Sequence, residues 1–293
     1  MYMQRRARLA YYLILPSVIL ISLLNLVPMV EGFIVSLQNQ NMARPNPSAY
    51  VGAKHYLRAL FDEDVVWQSL SKTAVWTLGS VAGAYVLALC LALLVNLDIQ
   101  GRKIFRALFL VPWVIPEVST ALLWKWLYGD EFGVINFMLL KFGLVSRPVL
   151  WLADPNMAMT SVIVVQIWKL YPFMFIVLLA ALQNVPKELH EAAVIDGASA
   201  RQRLWHITLP FIRSTSVIIT LLGSIWTFQN FDIIYLLTGG GPANATKILP
   251  TLMYEKAFWG SEMGYAAAIG MLMLVVLLLI SMAYLFAYKS SRG

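Results

Sequence analysis

The stretch EAAVIDGASARQRLWHITLP occupies residues 191–210 and lies between two long apolar segments. It is polar, rich in small residues, and carries the cations Arg201 and Arg203. A connection between neighbouring helices needs only about 2–8 residues. A loop of this length, with helix signals of its own, predicts a docking surface rather than a simple turn.

Composition places the chain in a membrane. Hydrophobic residues make up 60% of it and charged residues 13%, and the mean hydropathy is +0.71. Soluble domains carry about 25% charged residues. Several segments contain roughly 20 residues with few charges, enough to cross a hydrocarbon core about 30 Å thick. These features predict a polytopic membrane protein and exclude a large soluble core.

Hydropathy predicts six transmembrane helices in an all-α fold, because only helices or closed barrels satisfy every backbone group in lipid and the alternation typical of barrel strands is absent. We expect residues 1–293 to form a single transmembrane domain that contains a cytoplasmic loop at 185–212. The predicted spans are Leu9 to Leu37, Ser71 to Leu97, Ala107 to Leu127, Met157 to Leu182, Ser214 to Leu237, and Tyr265 to Tyr288.

The basic residues predict the orientation. Twelve cations flank the spans on one side, and seven lie in the longer loops on the other side. Cytoplasmic loops carry the excess of Lys and Arg, so both termini and the loop at 185–212 are predicted to be cytoplasmic. The twelve are Arg5, Arg6, Arg8, Arg102, Lys103, Arg106, Lys187, Arg201, Arg203, Arg213, Lys289 and Arg292.

Catalytic and metal-binding patterns are absent from the sequence. Cys90 is the single cysteine, and three histidines are scattered along the chain. There is no phosphate-binding loop of the G-x-x-x-x-G-K-[ST] form, no H-E-x-x-H pattern and no Ser-His-Asp set. The net charge of +7 lies in loops that flank the membrane and therefore predicts topology, not a nucleic-acid partner. We expect no catalytic site, no metal and no cofactor in this chain, so a partner has to supply energy.

The cytoplasmic loop contains signals for two helices. Pro186 suits the first helical position, and Glu188 falls in the first turn, where a carboxylate complements the helix dipole. Gly197 can end this first helix. Ser199, followed three residues later by Gln202, predicts a capping box that starts the second.

The pattern Glu-Ala-Ala-x-x-Asp-Gly-Ala, followed by Ile-Thr-Leu-Pro, resembles the EAA loop of permease subunits of ABC importers. The resemblance extends over almost the whole chain and is greatest to the carbohydrate-importing branch, although Leu204 replaces the usual phenylalanine of the loop. The supporting stretches are FRALFLVPWVIP at 105–116, WKLYP at 168–172 and FQNFDIIYLLTGGGP at 228–242.

This resemblance implies the type I importer fold in a bacterial inner membrane, with a sugar, polyol or glycerol phosphate as cargo. It also implies four kinds of partner: a second permease subunit, two ATP-binding subunits that hold ATP and Mg, an external binding protein, and the lipid bilayer. The short helix near Pro186 to Ile195 would couple to the ATPase. The implied coupling residues are Glu191, Ala192, Ala193, Asp196, Gly197 and Ala198.

The same resemblance assigns residues to the substrate pathway. Lys169 departs from the family, in which a small residue is common here. It either neutralises Glu117, since an ion pair costs less than two lone buried charges, or faces an anionic cargo. The assigned residues are Trp113, Glu117, Gln166, Trp168, Lys169, Leu170, Gly223, Thr227 and Asn230.

The competing class is a self-contained membrane protein, either an ion-coupled secondary transporter or an intramembrane enzyme. A secondary transporter commonly shows inverted repeats and broken helices in corresponding positions of its two halves. Neither is evident in this sequence.

Overall fold

The computed structural model describes residues 13–97 and 100–290, with the side chains of 44–48 and 287–290 left out. The predicted cations Arg5, Arg6, Arg8 and Arg292, and the predicted start of the first span at Leu9, lie outside the described residues. The described chain is mostly helical.

The helices are numbered here in chain order; two of them contain a π-helical turn, and two more are followed by one, at Arg58–Asp62 and Glu255–Trp259. They are α1 (Leu13–Ser36), α2 (Lys54–Leu57), α3 (Asp64–Asn96), α4 (Arg102–Val114), α5 (Glu117–Leu127), α6 (Val134–Lys141), α7 (Pro155–Gln183), α8 (Lys187–Ile195), α9 (Ala200–Gln229), α10 (Asp232–Thr238), α11 (Leu249–Tyr254) and α12 (Met263–Ser290). Two strands, β1 (Gln38–Asn41) and β2 (Arg44–Tyr50), pair antiparallel.

Five of these helices are long and apolar enough to cross a membrane, and α4 with α5 makes a sixth span if this bent pair counts as one. The prediction of an all-α protein with six membrane spans is therefore confirmed. The prediction that 107–127 forms one continuous span was wrong. The chain bends by 98° between α4 and α5, because Pro116 removes a backbone donor and pushes Ile115 into the extended conformation (ψ 127°).

The predicted fifth span, Ser214 to Leu237, is also shifted. Helix α9 begins at Ala200, so the second helix of the cytoplasmic loop continues into the span through a π turn at Leu204–Thr208. The helix ends at Gln229, and Asn230 is extended (ψ 116°) before α10 begins. A hydropathy average does not register this interruption, because apolar residues continue on both sides of it.

The described chain divides into two compact units. The first comprises the chain up to Trp67 together with Leu252–Val275. It contains α1, the β1–β2 hairpin, in which Gln38 pairs with Tyr50, and a bridge from Asn41 to Glu262.

A polar network holds the first unit together around Glu63. Arg58 donates from Nε to Glu63 Oε1 (2.7 Å), and Lys256 Nζ and the Tyr265 hydroxyl both donate to Glu63 Oε2 (3.1 Å each). Arg58 also donates to Glu262 (3.0 Å). Burial alone would raise the pKa of the Glu63 carboxyl, but the hydrogen bonds from Lys256 and Arg58 outweigh burial and hold that pKa below its usual value.

The second unit comprises Gln68–Thr251 and the chain from Val276 onward, and it contains every site residue predicted from the sequence. Its larger apolar cluster joins α3, α7 and α9 through side chains such as Ala88, Met174 and Ile219. A second cluster packs Trp76 of α3 and Ala121 of α5 with residues of α7 and α10. These clusters bring the ends of α4, α5, α9 and α10 close together.

Candidate functional site

The turn after α8 is built by its own sequence. Gly197 has a φ of +79°, which glycine adopts readily. Its amide donates to the carbonyl of Val194 (3.0 Å), and the amide of Ala198 donates to that of Ala193 (2.8 Å). This pair of bonds is the Schellman motif, which satisfies the last carbonyls of a helix. The end of α8 is therefore a rigid turn.

The start of the next helix is capped as the sequence predicts. Gln202 N donates to the Ser199 hydroxyl (3.3 Å), and Ser199 N donates to Gln202 Oε1 (2.8 Å), so the capping box is confirmed. The expectation for Pro186 was one residue off. Its extended backbone (ψ 130°) makes it the residue that precedes α8 and not the first helical one.

Helix α8 has no buried residue. Ile195 is 85% exposed, and Val194 and Leu189 are 55% and 47% exposed. An open cavity of about 530 Å³ lies beside this helix. It is lined by Val194 and Ile195 together with His190, Glu191 and Arg203. Of the other predicted coupling residues, Ala192 and Asp196 are exposed and Ala193 and Ala198 half-buried. Four of the six predicted coupling residues are therefore exposed, and the apolar side chains of Val194 and Ile195, which the sequence did not single out, are exposed beside them.

Two of the predicted pathway residues meet at the interruptions of the third and fifth spans. Glu117 is the first residue of α5, and Asn230 follows α9. Asn230 Nδ2 donates to Glu117 Oε2 (3.1 Å), while Asn230 Oδ1 accepts from the backbone of Ile233 at the start of α10 (3.3 Å). One amide side chain therefore links both helix breaks.

Lys169 of α7 makes contacts that neither sequence interpretation anticipated. Its Nζ donates to the carbonyls of Pro112 (3.2 Å), Trp113 (3.1 Å) and Ile115. These are carbonyls at the end of α4, where helical partners are missing. An ammonium group has three donors, and all three are used. Lys169 closes the broken end of α4 and does not hydrogen-bond to Glu117, but the opposite charges of the two side chains interact electrostatically.

Four other predicted pathway residues lie in packed surroundings. Gln166 is buried and donates to the Thr227 hydroxyl (3.3 Å), and its Oε1 has no hydrogen-bond partner among the described residues. Leu170 belongs to the larger apolar cluster. Gly223 lies so close to Met174 that a Cβ there would be 2.5 Å from Met174 Cε.

The two predicted tryptophans pack against other aromatic rings. Trp113 is 51% exposed, with its ring 6.3 Å from that of Phe173. The Trp168 ring lies edge-on to Trp124 (5.7 Å), which in turn contacts Tyr128. Trp113 is therefore the more exposed of the two rings, and both pack against another aromatic side chain.

The structure adds residues that the sequence interpretation missed. A cavity of about 370 Å³ is lined by Glu117, Trp226, Gln229, Asn230, Phe231 and Asp232. Asp232 could have been found, because it lies within the predicted fifth span and ionisable residues in a span indicate function by default. Trp226 and Gln229 had no such signal. No group of three His, Cys, Asp or Glu side chains within residues 13–97 and 100–290 is arranged to hold a metal ion.

Comparison with known proteins identifies similar chains. Residues 77–290 match the family model described as "Binding-protein-dependent transport system inner membrane component". The trehalose/maltose transport system permease protein of Thermococcus litoralis is 35% identical over 96% of this chain and 94% of the relative.

Two crystal structures of a bacterial ABC transporter that imports the acidic polysaccharide alginate are also similar. One matches with a TM-score of 0.81 and 27% identity, covering 98% of this chain and 96% of that one. The other, in complex with an alginate-bound periplasmic protein, matches with a TM-score of 0.80 and 26% identity, covering 98% and 95%.

Proposed function

The chain belongs to the family of binding-protein-dependent transport system inner membrane components, and from this premise we propose that it is the permease subunit of an ATP-driven importer for a sugar or sugar-like cargo. The names of the relatives support this cargo class, since they include a trehalose/maltose permease and an alginate importer. The chain would act as one transmembrane permease domain that forms half of the pathway.

The exposed surface of α8 is the observation that carries the proposal. Leu189, Val194 and Ile195 are apolar and exposed on a helix that ends in a hydrogen-bonded turn at Gly197. Docking of such a helix in a cleft of a partner would bury these side chains, which is favourable by about 25 cal/mol per Å² of apolar surface. The small side chains of Ala192 and Ala193 allow the backbone of the partner to come close.

The partner at this surface would be an ATPase subunit, and two copies would bind ATP and Mg. Glu191 would pair with a basic group there. A second permease subunit would complete the pathway, and an external binding protein would deliver the cargo, as the periplasmic protein of the alginate importer suggests. Both termini and the loop at 185–212 would be cytoplasmic.

Motion of the ATPase subunits would reach the membrane spans through the turn at Gly197, which follows α8. Packed interfaces switch between discrete arrangements, so closure of the ATPases would move α8 as a rigid body. Because Ala200 begins a helix that continues to Gln229, this motion would reach the break at Asn230, where the cavity lies.

Reversal of the charge at Glu191 tests this function. In the complex with its partner subunits in proteoliposomes, Glu191→Lys should weaken association with the ATPase about tenfold or more, because loss of an interfacial charge pair costs at least about 1.4 kcal/mol. ATPase stimulation by the loaded external protein should be lost. The matched control is Glu131→Lys, which reverses an exposed carboxylate between α5 and α6. Normal stimulation in the Glu191 variant would exclude this docking surface.

A further inference from the structure

The connection between α5 and α7, residues 128–154, carries an exposed apolar surface. Its only helix, α6, has eight residues, so it extends for about 12 Å and is too short to cross a hydrocarbon core of about 30 Å. The exposed apolar side chains on and beside this helix form the α6 surface, which comprises Phe132, Phe137, Met138, Leu140, Phe142 and Leu144.

Helix α6 has the opposite polarity to a surface helix of a soluble protein. Its one uncharged polar residue, Asn136, is only 1% exposed, whereas its neighbour Phe137 is 59% exposed. Phe137, Leu140 and Lys141 follow the i, i+3, i+4 spacing and share the outward face. A contiguous exposed apolar patch is uncommon on a surface that faces water and indicates contact with a partner or a membrane.

The buried asparagine holds this polarity in place. Asn136 Oδ1 accepts from the backbone amide of Val149 (3.0 Å) and from Trp151 Nε1 (3.1 Å), and its Nδ2 donates to the carbonyl of Val149 (3.0 Å). After the helix, the amide of Leu144 donates to the carbonyl of Leu139 (2.9 Å). The α6 surface therefore belongs to a fixed structure whose apolar side chains face away from the protein.

The hydrogen bond to Trp151 connects α6 to a group of aromatic residues at the ends of two membrane spans. The Trp151 ring stacks on Tyr128 (5.5 Å), which directly follows α5, and Tyr128 lies 5.3 Å from Trp124. Tryptophan and tyrosine concentrate where a membrane meets water. The contacts of Trp151 therefore place α6 at the level of that boundary.

We propose that the α6 surface is an interfacial membrane anchor, which inserts into the lipid leaflet on the side where α5 ends. An interfacial helix buries its apolar face about 5–10 Å into the boundary between headgroups and acyl chains. Lys141, whose Nζ lies 5.8 Å from the centre of the Phe137 ring, extends its charge to the headgroups over this apolar stem.

The composition of the α6 surface favours lipid over an external protein that binds transiently. All six of its side chains are apolar, whereas a non-obligate protein interface is only about 56–58% non-polar in area. Because Asn136 fixes α6 to Trp151, the anchor sets the depth at which α5 ends and α7 begins. This inference depends on the membrane class of the chain and not on its cargo.

Spin labels measure the environment of the α6 surface directly. Cys90→Ser removes the single cysteine, and Phe137→Cys or Phe142→Cys then carries one nitroxide. The labelled chain is assembled with partner subunits that lack reactive cysteines, in vesicles of phosphatidylethanolamine and phosphatidylglycerol. Oxygen is apolar and concentrates in lipid, whereas a nickel–EDDA complex stays in water. The matched control is Ser146→Cys, at an exposed polar residue of the same connection.

We expect the ratio of oxygen collisions to nickel collisions to be several-fold higher at positions 137 and 142 than at position 146. A ratio equal to that of the control at either position would place the α6 surface in water and overturn the proposal. Exclusion of both reagents would also overturn it, because a protein such as the second permease subunit would then cover the surface. If a substitution prevents assembly, Phe132→Cys and Leu144→Cys provide the same test.

Discussion

Lys169 shows how one residue can fill a role that its sequence context does not suggest. A lysine in an apolar span suggests an ion pair or an anion site. Its charge interacts with that of Glu117, but its ammonium donates hydrogen bonds to the carbonyls of Pro112, Trp113 and Ile115. Charge-assisted hydrogen bonds are stronger than neutral ones, so one lysine can stabilise a helix end that Pro116 leaves without partners.

The first prediction is that Lys169→Met destabilises the protein. The methionine keeps the apolar stem but leaves three carbonyls without their donor, which should lower the free energy of unfolding by about 2–3 kcal/mol. Thermal unfolding in detergent, followed by tryptophan fluorescence, measures this. Lys125→Met removes a single such bond and should cost less. Equal stability of the Lys169 variant and the wild type would show that these bonds contribute nothing.

The second prediction concerns acid and Glu63. Its pKa is lower in the folded protein than its usual value of 4.5. Its contribution to stability is therefore present above the unfolded pKa and lost as the pH falls through the folded pKa. The melting temperature should fall more steeply below pH of about 4.5 in the wild type than in Glu63→Gln. The control is Asp62→Asn, which changes the exposed residue next to Glu63 and should keep the wild-type dependence of the melting temperature on pH. The same dependence in Glu63→Gln would show that Glu63 is not responsible for the loss of stability in acid.

At the scale of elements, the two interrupted spans decide where the cavity forms. A continuous helix leaves few backbone groups free, whereas each break exposes a helix end with its dipole. The break between α4 and α5 follows from Pro116. The break at Asn230 contains no proline. The side-chain amide of Asn230 accepts from the backbone amide of Ile233, which replaces one backbone bond, and donates to the Glu117 carboxylate.

The third prediction tests the turn after α8. Gly197→Val should abolish ATPase stimulation in the reconstituted complex, because a β-branched residue at a φ of +79° is strained by at least about 1–2 kcal/mol. A Cβ here would meet no atom within 4 Å, so any effect comes from the backbone. Gly197→Asn is the matched control, since asparagine tolerates positive φ. Full ATPase stimulation in the Gly197→Val variant would show that coupling does not depend on the conformation of this turn.

At the scale of the whole molecule, the fourth prediction concerns orientation. The excess of cations beside the spans predicts that a reporter fused after Arg292, or inserted between α3 and α4, faces the cytoplasm. A reporter inserted beside Asn244, between α10 and α11, should face outward. Paired fusions to alkaline phosphatase and green fluorescent protein read the two sides independently. If all reporters faced the opposite side, the predicted orientation would be wrong. If only some did, the predicted number of spans would be wrong.

The sequence by itself determined the membrane class, the number of spans and the local structure of the cytoplasmic loop. Each depends on neighbours along the chain. Hydropathy averages over about 20 residues, the capping box joins Ser199 to Gln202, and the turn at Gly197 needs only the preceding turn of helix. The resemblance to importer permeases was readable for the same reason, because its motif is contiguous.

Only the tertiary structure decided which polar side chains meet in the membrane. Lys169 reaches carbonyls more than 50 residues earlier, and Asn230 binds Glu117 across 113 positions. These contacts depend on a 98° bend that hydropathy does not register. The composition of a span predicts that it crosses the bilayer, but the packing of helices distant in sequence determines where each charge lies.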